Sequence, residues 1–365
     1  MKKISVLYNI HHYYYLPQFE PVIREMINSN RFDITFSAFT GKGYNDAKYI
    51  LDYVKKFNGE VIHARHESER RRKILESDFD ITIFGKSSHI EKYCSPNTLA
   101  VLLYHGIGVK SCYYLDYNPR IDVRYIEGEY RLKELQRQQV RTDLIVTGFP
   151  KMDGLYFPPE KKALIESLQI DSSSPTIIYA PTFYPSSVEI FGEKLGELSK
   201  GFNLLIKLHH FSWIMSKYRH QLELIRHLAY SNPHIRLLPL TEINIIPYYK
   251  VADLLLTEAS STAFEFLAIG KPSIVCNFFH LRHKHKLFNK RFTKSRMDYE
   301  FKKQLDFAYQ LKAPDELPEV ARIALSETSD YHKRTASTAE YYLGKVDGNA
   351  AKRVVEDLVM RIEKR

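Results

Sequence analysis

Residues 252–267 read Ala252-Asp253-Leu254-Leu255-Leu256-Thr257-Glu258-Ala259-Ser260-Ser261-Thr262-Ala263-Phe264-Glu265-Phe266-Leu267. The apolar run at 254–257 is continuous rather than alternating, as in a parallel strand buried on both faces. It ends in hydroxyl residues that open a helix, which makes the segment one half of a βαβ unit. Working outward, similar runs lie at 176–179, 203–208, 235–238 and 273–276. An earlier series occupies 4–8, 34–39, 81–84, 99–104 and 144–147, with helical stretches at 18–28, 46–57 and 68–77 between its members. The two series meet near residues 151–175, where Pro158-Pro159 and Asp171-Ser172-Ser173-Ser174-Pro175 interrupt the pattern. The sequence thus predicts an α/β protein of two Rossmann-like domains facing each other across a cleft. Residues 349–364 predict an amphipathic helix with Val354, Val355, Leu358, Val359 and Ile362 on one face. Ligands of open α/β sheets bind at the carboxyl ends of the strands.

The composition fits that reading. With 44% hydrophobic and 26% charged residues over 365 positions, the chain can bury a sizeable core, and general disorder is excluded. No apolar run approaches the ~18 residues that a membrane span needs. Met1-Lys2-Lys3 leads into too short an apolar run for a signal peptide, so a cytoplasmic protein is expected. Cys94, Cys112 and Cys276 lack the spacing of a disulfide framework or a zinc site, and no metal or other cofactor is expected. The net charge of +10 favours anionic partners: nucleotides, phosphorylated substrates, anionic lipid or nucleic acid.

Several segments carry candidate chemistry. The strand ending at Tyr104 runs into His105-Gly106-Ile107-Gly108-Val109-Lys110. The glycines allow a tight turn and close approach of a ligand, and His105 can act as a base near neutral pH; the competing reading is a turn with an incidental histidine. At Thr257, Ser260, Ser261 and Thr262, hydroxyls and free N–H groups at a helix start suit a phosphate, although Ser and Thr also serve as ordinary caps. Lys207 and the pair His209-His210 follow a third strand and could neutralise a diphosphate, or stand as structural or surface groups. Thr182, after Pro181, would face the cleft. The run 280–296 carries Arg282, Lys284, Lys286 and four further cations with no acid, which reads as a solvated surface or as contact with anionic lipid or a phosphate-bearing acceptor. His11-His12-Tyr13-Tyr14-Tyr15 reads as an aromatic wall or, through His12 and Tyr13, as an acceptor contact. Asp78-Phe79-Asp80 has the D-x-D spacing of a metal site but directly precedes a strand, where acids mark its beginning.

Together these segments resemble the CDP-glycerol glycerophosphotransferase family, the teichoic-acid primases and polymerases. The family's H-G-T-P-x-K is similar to residues 105–110, and its G-Y/F-P-R-x-D to Gly148-Phe149-Pro150-Lys151-Met152-Asp153. Its Y-A-P-T-W/F matches Tyr179-Ala180-Pro181-Thr182-Phe183, and its K-x-H-P resembles Lys207-Leu208-His209-His210. Its D-x-L-I-T-D-Y-S-S-x-x-F-D/E, then K-P, is similar to Asp253 through Glu265, then Lys271-Pro272. Its D-G-x-A-x-x-R-V-V resembles Asp347 through Val355. The chain departs from the family at Ile107-Gly108, Glu258-Ala259 and His210.

The resemblance implies a GT-B fold: an N-terminal acceptor domain over residues 1–155, a donor-nucleotide domain over 156–344, and a last helix over 345–365 crossing back towards the first. It implies transfer of a polyol phosphate from a CDP-linked donor to a hydroxyl of a glycan or polyprenyl-diphosphate-linked acceptor, releasing CMP, in cell-envelope polymer synthesis. The protein would work in the cytoplasm or peripherally on the inner membrane face, without nucleic acid. His105 would be the general base, and His209 and Lys207 would stabilise charge on the diphosphate. Ser260 and Ser261 would bind phosphate oxygens, and Thr182 would line the pocket. Glu265 would hold a ribose hydroxyl or orient the loop. The rival expectations are a sugar transferase using CMP- or UDP-sugars, a UDP-sugar 2-epimerase-like enzyme, and a non-catalytic basic binding module.

Overall fold

The computed structural model describes residues 2–41, 46–108, 113, 117–283, 285 and 304–365. It has two compact units. The first draws on residues 1–107, 113–156 and 341–365, and the second on Gly108 and Phe157–Glu340.

The first unit holds seven strands: β1 (Ile4–Ile10), β2 (Phe32–Phe39), β3 (Glu60–Ala64), β4 (Ile81–Phe84), β5 (Leu99–Leu103), β6 (Val123–Ile126) and β7 (Asp143–Val146). They form one parallel sheet in the order β3-β2-β1-β4-β5-β6-β7. Every residue of β4 and β5 is buried, which is why these strands read as unbroken apolar runs. The second unit holds β8 (Thr176–Ala180), β9 (Asn203–Ile206), β10 (Ile235–Leu237), β11 (Leu254–Thr257), β12 (Ser273–Cys276) and β13 (Tyr309–Leu311). This parallel sheet runs β10-β9-β8-β11-β12-β13. Its core packs Ile177, Leu204, Leu254 and Ile274 against Val188, Leu222 and Ile225 of the flanking helices. Both sheets are Rossmann-like, as in a GT-B protein.

Three strands escape the sequence pattern. β3 is an edge strand, largely half-exposed, with polar Glu60 and His63. β6 buries Arg124, whose guanidinium donates to the Tyr113 carbonyl and lies near the Tyr104 ring. β13 is three residues long and carries Gln310. Polar residues break the periodicity in each.

In both sheets the connections reverse direction between two neighbouring strands, β1 and β4 in the first and β8 and β11 in the second. Each pair is pinned at its amino end by an aspartate. Ser5 donates its N–H and Oγ to Asp80 Oδ2, both at 2.8 Å, and Thr176 N donates to Asp253 Oδ2 at 3.0 Å. Asp78 accepts from Ser95 Oγ at 2.8 Å, so both acids of the Asp78-Phe79-Asp80 segment have structural partners.

Two of the quoted motifs meet inside the first unit. Asp153 accepts from the N–H groups of Ala350 and Ala351, at 3.2 and 2.8 Å, and so caps the last helix, Ala350–Glu363. Arg353 pairs with Asp347 at 2.9 Å and donates to the Thr147 carbonyl at 2.7 Å. Gly148 sits at φ +83°, where a Cβ would come within 2.6 Å of the Lys345 carbonyl, so glycine is required. Further along the helix, Asp357 accepts from Tyr125 at 2.7 Å and Arg361 bonds Asp143 at 2.8 Å. Losing a carboxylate cap costs about 1–2 kcal/mol. Asp153→Ala should therefore lower the thermal midpoint of unfolding, read by circular dichroism; an unchanged midpoint would show that the last helix is held without this cap.

Candidate active site

Parallel strands place all their carboxyl ends on one edge, and the reversal leaves a crevice there that loops fill. In the first unit, β5 ends at Leu103 and His105 follows two residues on. The His105 ring stacks on Tyr15 and Tyr104, with centroids 4.5 and 4.9 Å away, and Tyr14 meets it edge-on. Its Nδ1 lies 2.9 Å from the carbonyl of Gly85, just beyond β4. A carbonyl only accepts, so Nδ1 carries the proton and the neutral ring presents a basic lone pair at Nε2. Gly85 has no room for a side chain, since a Cβ would meet the Tyr15 ring at 2.5 Å. Gly106 is buried beside Tyr113, and Gly108, at φ +103°, lies against Phe264 within the second unit. Lys110 lies outside the described residues.

In the second unit the ends of β8, β9 and β11 converge. Thr257, fully buried, donates to the Ala180 carbonyl at 2.7 Å and lies 2.9 Å from Thr262 Oγ1. Ser260 caps the short helix Ser261–Phe266 and accepts from Thr262 N at 3.4 Å and Thr262 Oγ1 at 3.1 Å. Thr262 and Thr257 are thus engaged in shaping the turn, while Ser260 and Ser261 are half-buried at its tip. Lys207 is buried directly after β9. His209 Nδ1 accepts from Phe211 N at 3.1 Å, and its ring packs on Phe183. An amide nitrogen only donates here, so neutral His209 keeps its proton on Nε2, as a donor. The two histidines therefore have opposite tautomers.

The other candidates are placed as follows. Glu265 is 1% exposed and accepts from Tyr249 at 3.1 Å, inside the packed interior. Tyr13 is buried against Tyr49 and Tyr53, and His12 pairs with Asp46 at 3.1 Å. Arg282 lies over the rings of Tyr184 and Tyr218, at 4.5 and 5.1 Å. Lys284 and Lys286 lie outside the described residues. No group of three or more His, Cys, Asp or Glu side chains that could hold a metal occurs among the described residues.

Glu258 belongs to these strand ends as well, although residue type alone does not mark it as a site residue. It is buried, and its Oε2 accepts from Thr182 N at 2.5 Å while Oε1 accepts from Ser187 N at 2.8 Å and from the Ser187 hydroxyl. It ties the loop after β8 to the end of β11. The available signal was position: an acid directly after a buried strand, beside the hydroxyl cluster.

Comparison with known proteins bears on both units. The family model described as CDP-Glycerol:Poly(glycerophosphate) glycerophosphotransferase matches residues 133–360. The teichoic acid poly(ribitol-phosphate) polymerase of Bacillus spizizenii (strain ATCC 23059 / NRRL B-14472 / W23) is 26% identical over 234 residues, 60% of this chain and 33% of that protein. The match thus spans about a third of the length of that curated relative. Among solved structures, a variant of the wall teichoic acid polymerase TagF after a 30 minute soak with CDPG aligns over 99% of this chain and 89% of its own, with a TM-score of 0.65 and 13% identity. A UDP-N-acetylglucosamine 2-epimerase-like protein from Listeria monocytogenes aligns over 100% and 98%, with a TM-score of 0.66 and 13% identity. At such identities the structural likeness speaks for the fold.

Burial pushes the Glu258 carboxyl up to about 7, against the pull of the Ser187 and Thr182 donors. The folded chain then holds a proton that the unfolded chain releases above pH ~4.5, so stability falls as pH rises from about 4.5 to 7. The slope disappears above that window, after a loss on the order of 3 kcal/mol. Thermal midpoints measured from pH 5 to 8 should show this decline in the wild type and a flatter profile in Glu258→Gln. Parallel profiles would assign the titration elsewhere.

Proposed function

The chain belongs to the CDP-glycerol:poly(glycerophosphate) glycerophosphotransferase family, and on that premise we propose that it transfers a polyol phosphate from a CDP-linked donor to an acceptor hydroxyl. The observation that carries the reading is His105 Nδ1 held by the Gly85 carbonyl, which leaves Nε2 as the unprotonated, basic nitrogen of the neutral ring. In this mechanism the acceptor oxygen attacks the β-phosphorus and gives its proton to His105. The bond from that phosphorus to the bridging oxygen breaks, a phosphodiester forms, and CMP leaves. His209, with its proton on Nε2, donates to the diphosphate oxygens, and Lys207 supplies positive charge as the leaving group gains negative charge. Ser260 and Ser261 at the end of β11 bind phosphate oxygens, and Thr182 lines the nucleotide or phosphate pocket.

The acceptor in this proposal is a glycan or polyprenyl-diphosphate-linked hydroxyl at the inner membrane face, and the basic surface draws the protein there. No helix among the described residues is long and apolar enough to cross a membrane. The fold is shared with a 2-epimerase-like protein, so the donor is the point to test. CDP-glycerol, CDP-ribitol, CMP-sugars and UDP-sugars are supplied in turn, and released CMP or UDP is measured. Turnover with CDP-polyols alone supports the proposal; turnover confined to UDP-sugars overturns it. His105→Ala should lower kcat by roughly 10²- to 10⁴-fold while CDP-donor affinity, read by calorimetry, stays within a few-fold. Near-normal turnover in that variant would move the base elsewhere.

A further inference from the structure

A buried ion pair sits one strand away from His105, and the proposed chemistry leaves it unused. Glu127 directly follows β6, and Arg131 lies one turn on, in the helix Glu129–Arg137. Both side chains are buried, Arg131 with 1% of its surface exposed and Glu127 with 7%. Arg131 Nε and Nη2 donate to Glu127 Oε1 at 2.9 and 2.8 Å. Nη2 also donates to the Gly106 carbonyl at 3.2 Å. Gly106 is the residue after His105, so this bond fixes the backbone that carries the imidazole. The Arg131 guanidinium lies 4.9 Å from the Tyr113 ring centre, Tyr113 meets Tyr104 edge-on at 5.2 Å, and Tyr104 stacks on His105. Arg131 thus reaches His105 along the backbone and through a row of rings.

Stability alone does not account for this pair. Taking two charges out of water is costly, and apolar residues of similar volume would fill the same space as well or better. Arg131 Nη1 is buried and has no hydrogen-bond partner among the described residues, which adds an unmet donor to that cost. What a charged, planar fork supplies and an apolar side chain cannot is a directed donor at a fixed place. Here that donor falls on Gly106. Since β5 lies between β4 and β6, His105 is gripped from both neighbours. Its Nδ1 is held by the Gly85 carbonyl beyond β4, and the next carbonyl along its own chain is held by Arg131 beyond β6.

We propose that Arg131, held by Glu127, is a positioning residue for His105. By fixing the Gly106 carbonyl it keeps the imidazole against the Gly85 carbonyl, and so keeps the proton on Nδ1 and the lone pair on Nε2. The role of His105 as base rests on the transferase reading; the hold of Arg131 on its tautomer does not.

The test uses the full chain with ¹⁵N-labelled histidine, and His105→Gln assigns the ring signals. The thermal midpoint is read by circular dichroism, the His105 tautomer by its ring ¹⁵N shifts without substrate, and kcat and KM with a CDP-polyol. Arg131→Met alone leaves a buried carboxylate unpaired and should lower the midpoint. Glu127→Leu combined with Arg131→Met removes both charges and should recover it. A purely structural pair would recover tautomer and turnover together with stability. A positioning residue would not: the double variant should show both Nδ1–H and Nε2–H forms of His105, and kcat should fall roughly 10- to 100-fold with KM within a few-fold. Arg131→Lys keeps the charge pair but loses the planar fork, so it should fold and show the same loss in smaller measure. It is read in place of the double variant if that protein does not fold. A single Nδ1–H tautomer with near-normal kcat in the folded variant would overturn the inference. A changed tautomer in a protein whose wild type turns over no CDP-polyol sinks only the transferase reading. An unchanged tautomer in one that does sinks only this inference.

Discussion

The register of two strand pairs sets the positions of the groups at the point where each sheet reverses its winding. β1 with β4, and β8 with β11, are the neighbours at which each sheet reverses its winding, so no single crossover joins them. Their alignment depends on direct bonds, and an aspartate supplies them at the amino end of each: Asp80 to Ser5, and Asp253 to Thr176. Lys271 then holds Asp253 at 3.0 Å, which ties the Lys-Pro segment to the same clamp. A slip of one residue would turn every side chain to the other face. With the register fixed, Thr257 pairs with Ala180, and Glu258 comes level with the Thr182 amide it binds.

The two histidines differ through their neighbours rather than their own chemistry. Each follows a buried strand, each is half-buried, and each packs on aromatic rings. His105 faces a carbonyl and His209 faces an amide, so one ring offers a lone pair at Nε2 and the other a proton. In the proposed transfer the first would accept a proton from the incoming hydroxyl and the second would donate to the departing phosphate. Fixed backbone partners hold each tautomer before any substrate binds.

Among the segments that resemble the family's motifs, two groups do different work. Gly148 through Asp153 and Asp347 through Val355 bind each other, closing the last helix onto the first unit through Asp153 and Arg353. They are 197 positions apart at the Asp153–Ala350 bond and carry no candidate chemistry. The segments at 179–183, 207–210 and 253–265 meet at the strand ends of the second unit. A matched motif is therefore no guide to whether its residues touch substrate.

The sequence alone determined the α/β class and ten of the strands, because continuous apolar runs mark strands that are mostly buried on both faces, although the edge strand β7 carries such a run with Val146 exposed. It also located the hydroxyl turn after β11 and the histidines, since their position after such a run puts them at a carboxyl edge. The polar strands β3, β6 and β13 lay beyond it, their periodicity broken by Glu60, Arg124 and Gln310. Tertiary structure alone decided which way the histidine tautomers lie and that Glu265 is turned inward to Tyr249. It also decided that Glu258 bridges two loops and that Arg131 reaches the Gly106 carbonyl. Each of these depends on a partner at least 16 residues away in the chain, except His209, whose partner lies two residues on and is set by the turn. Hydrogen-bond direction belongs to a pair of groups brought together in space, and one residue's identity cannot state it.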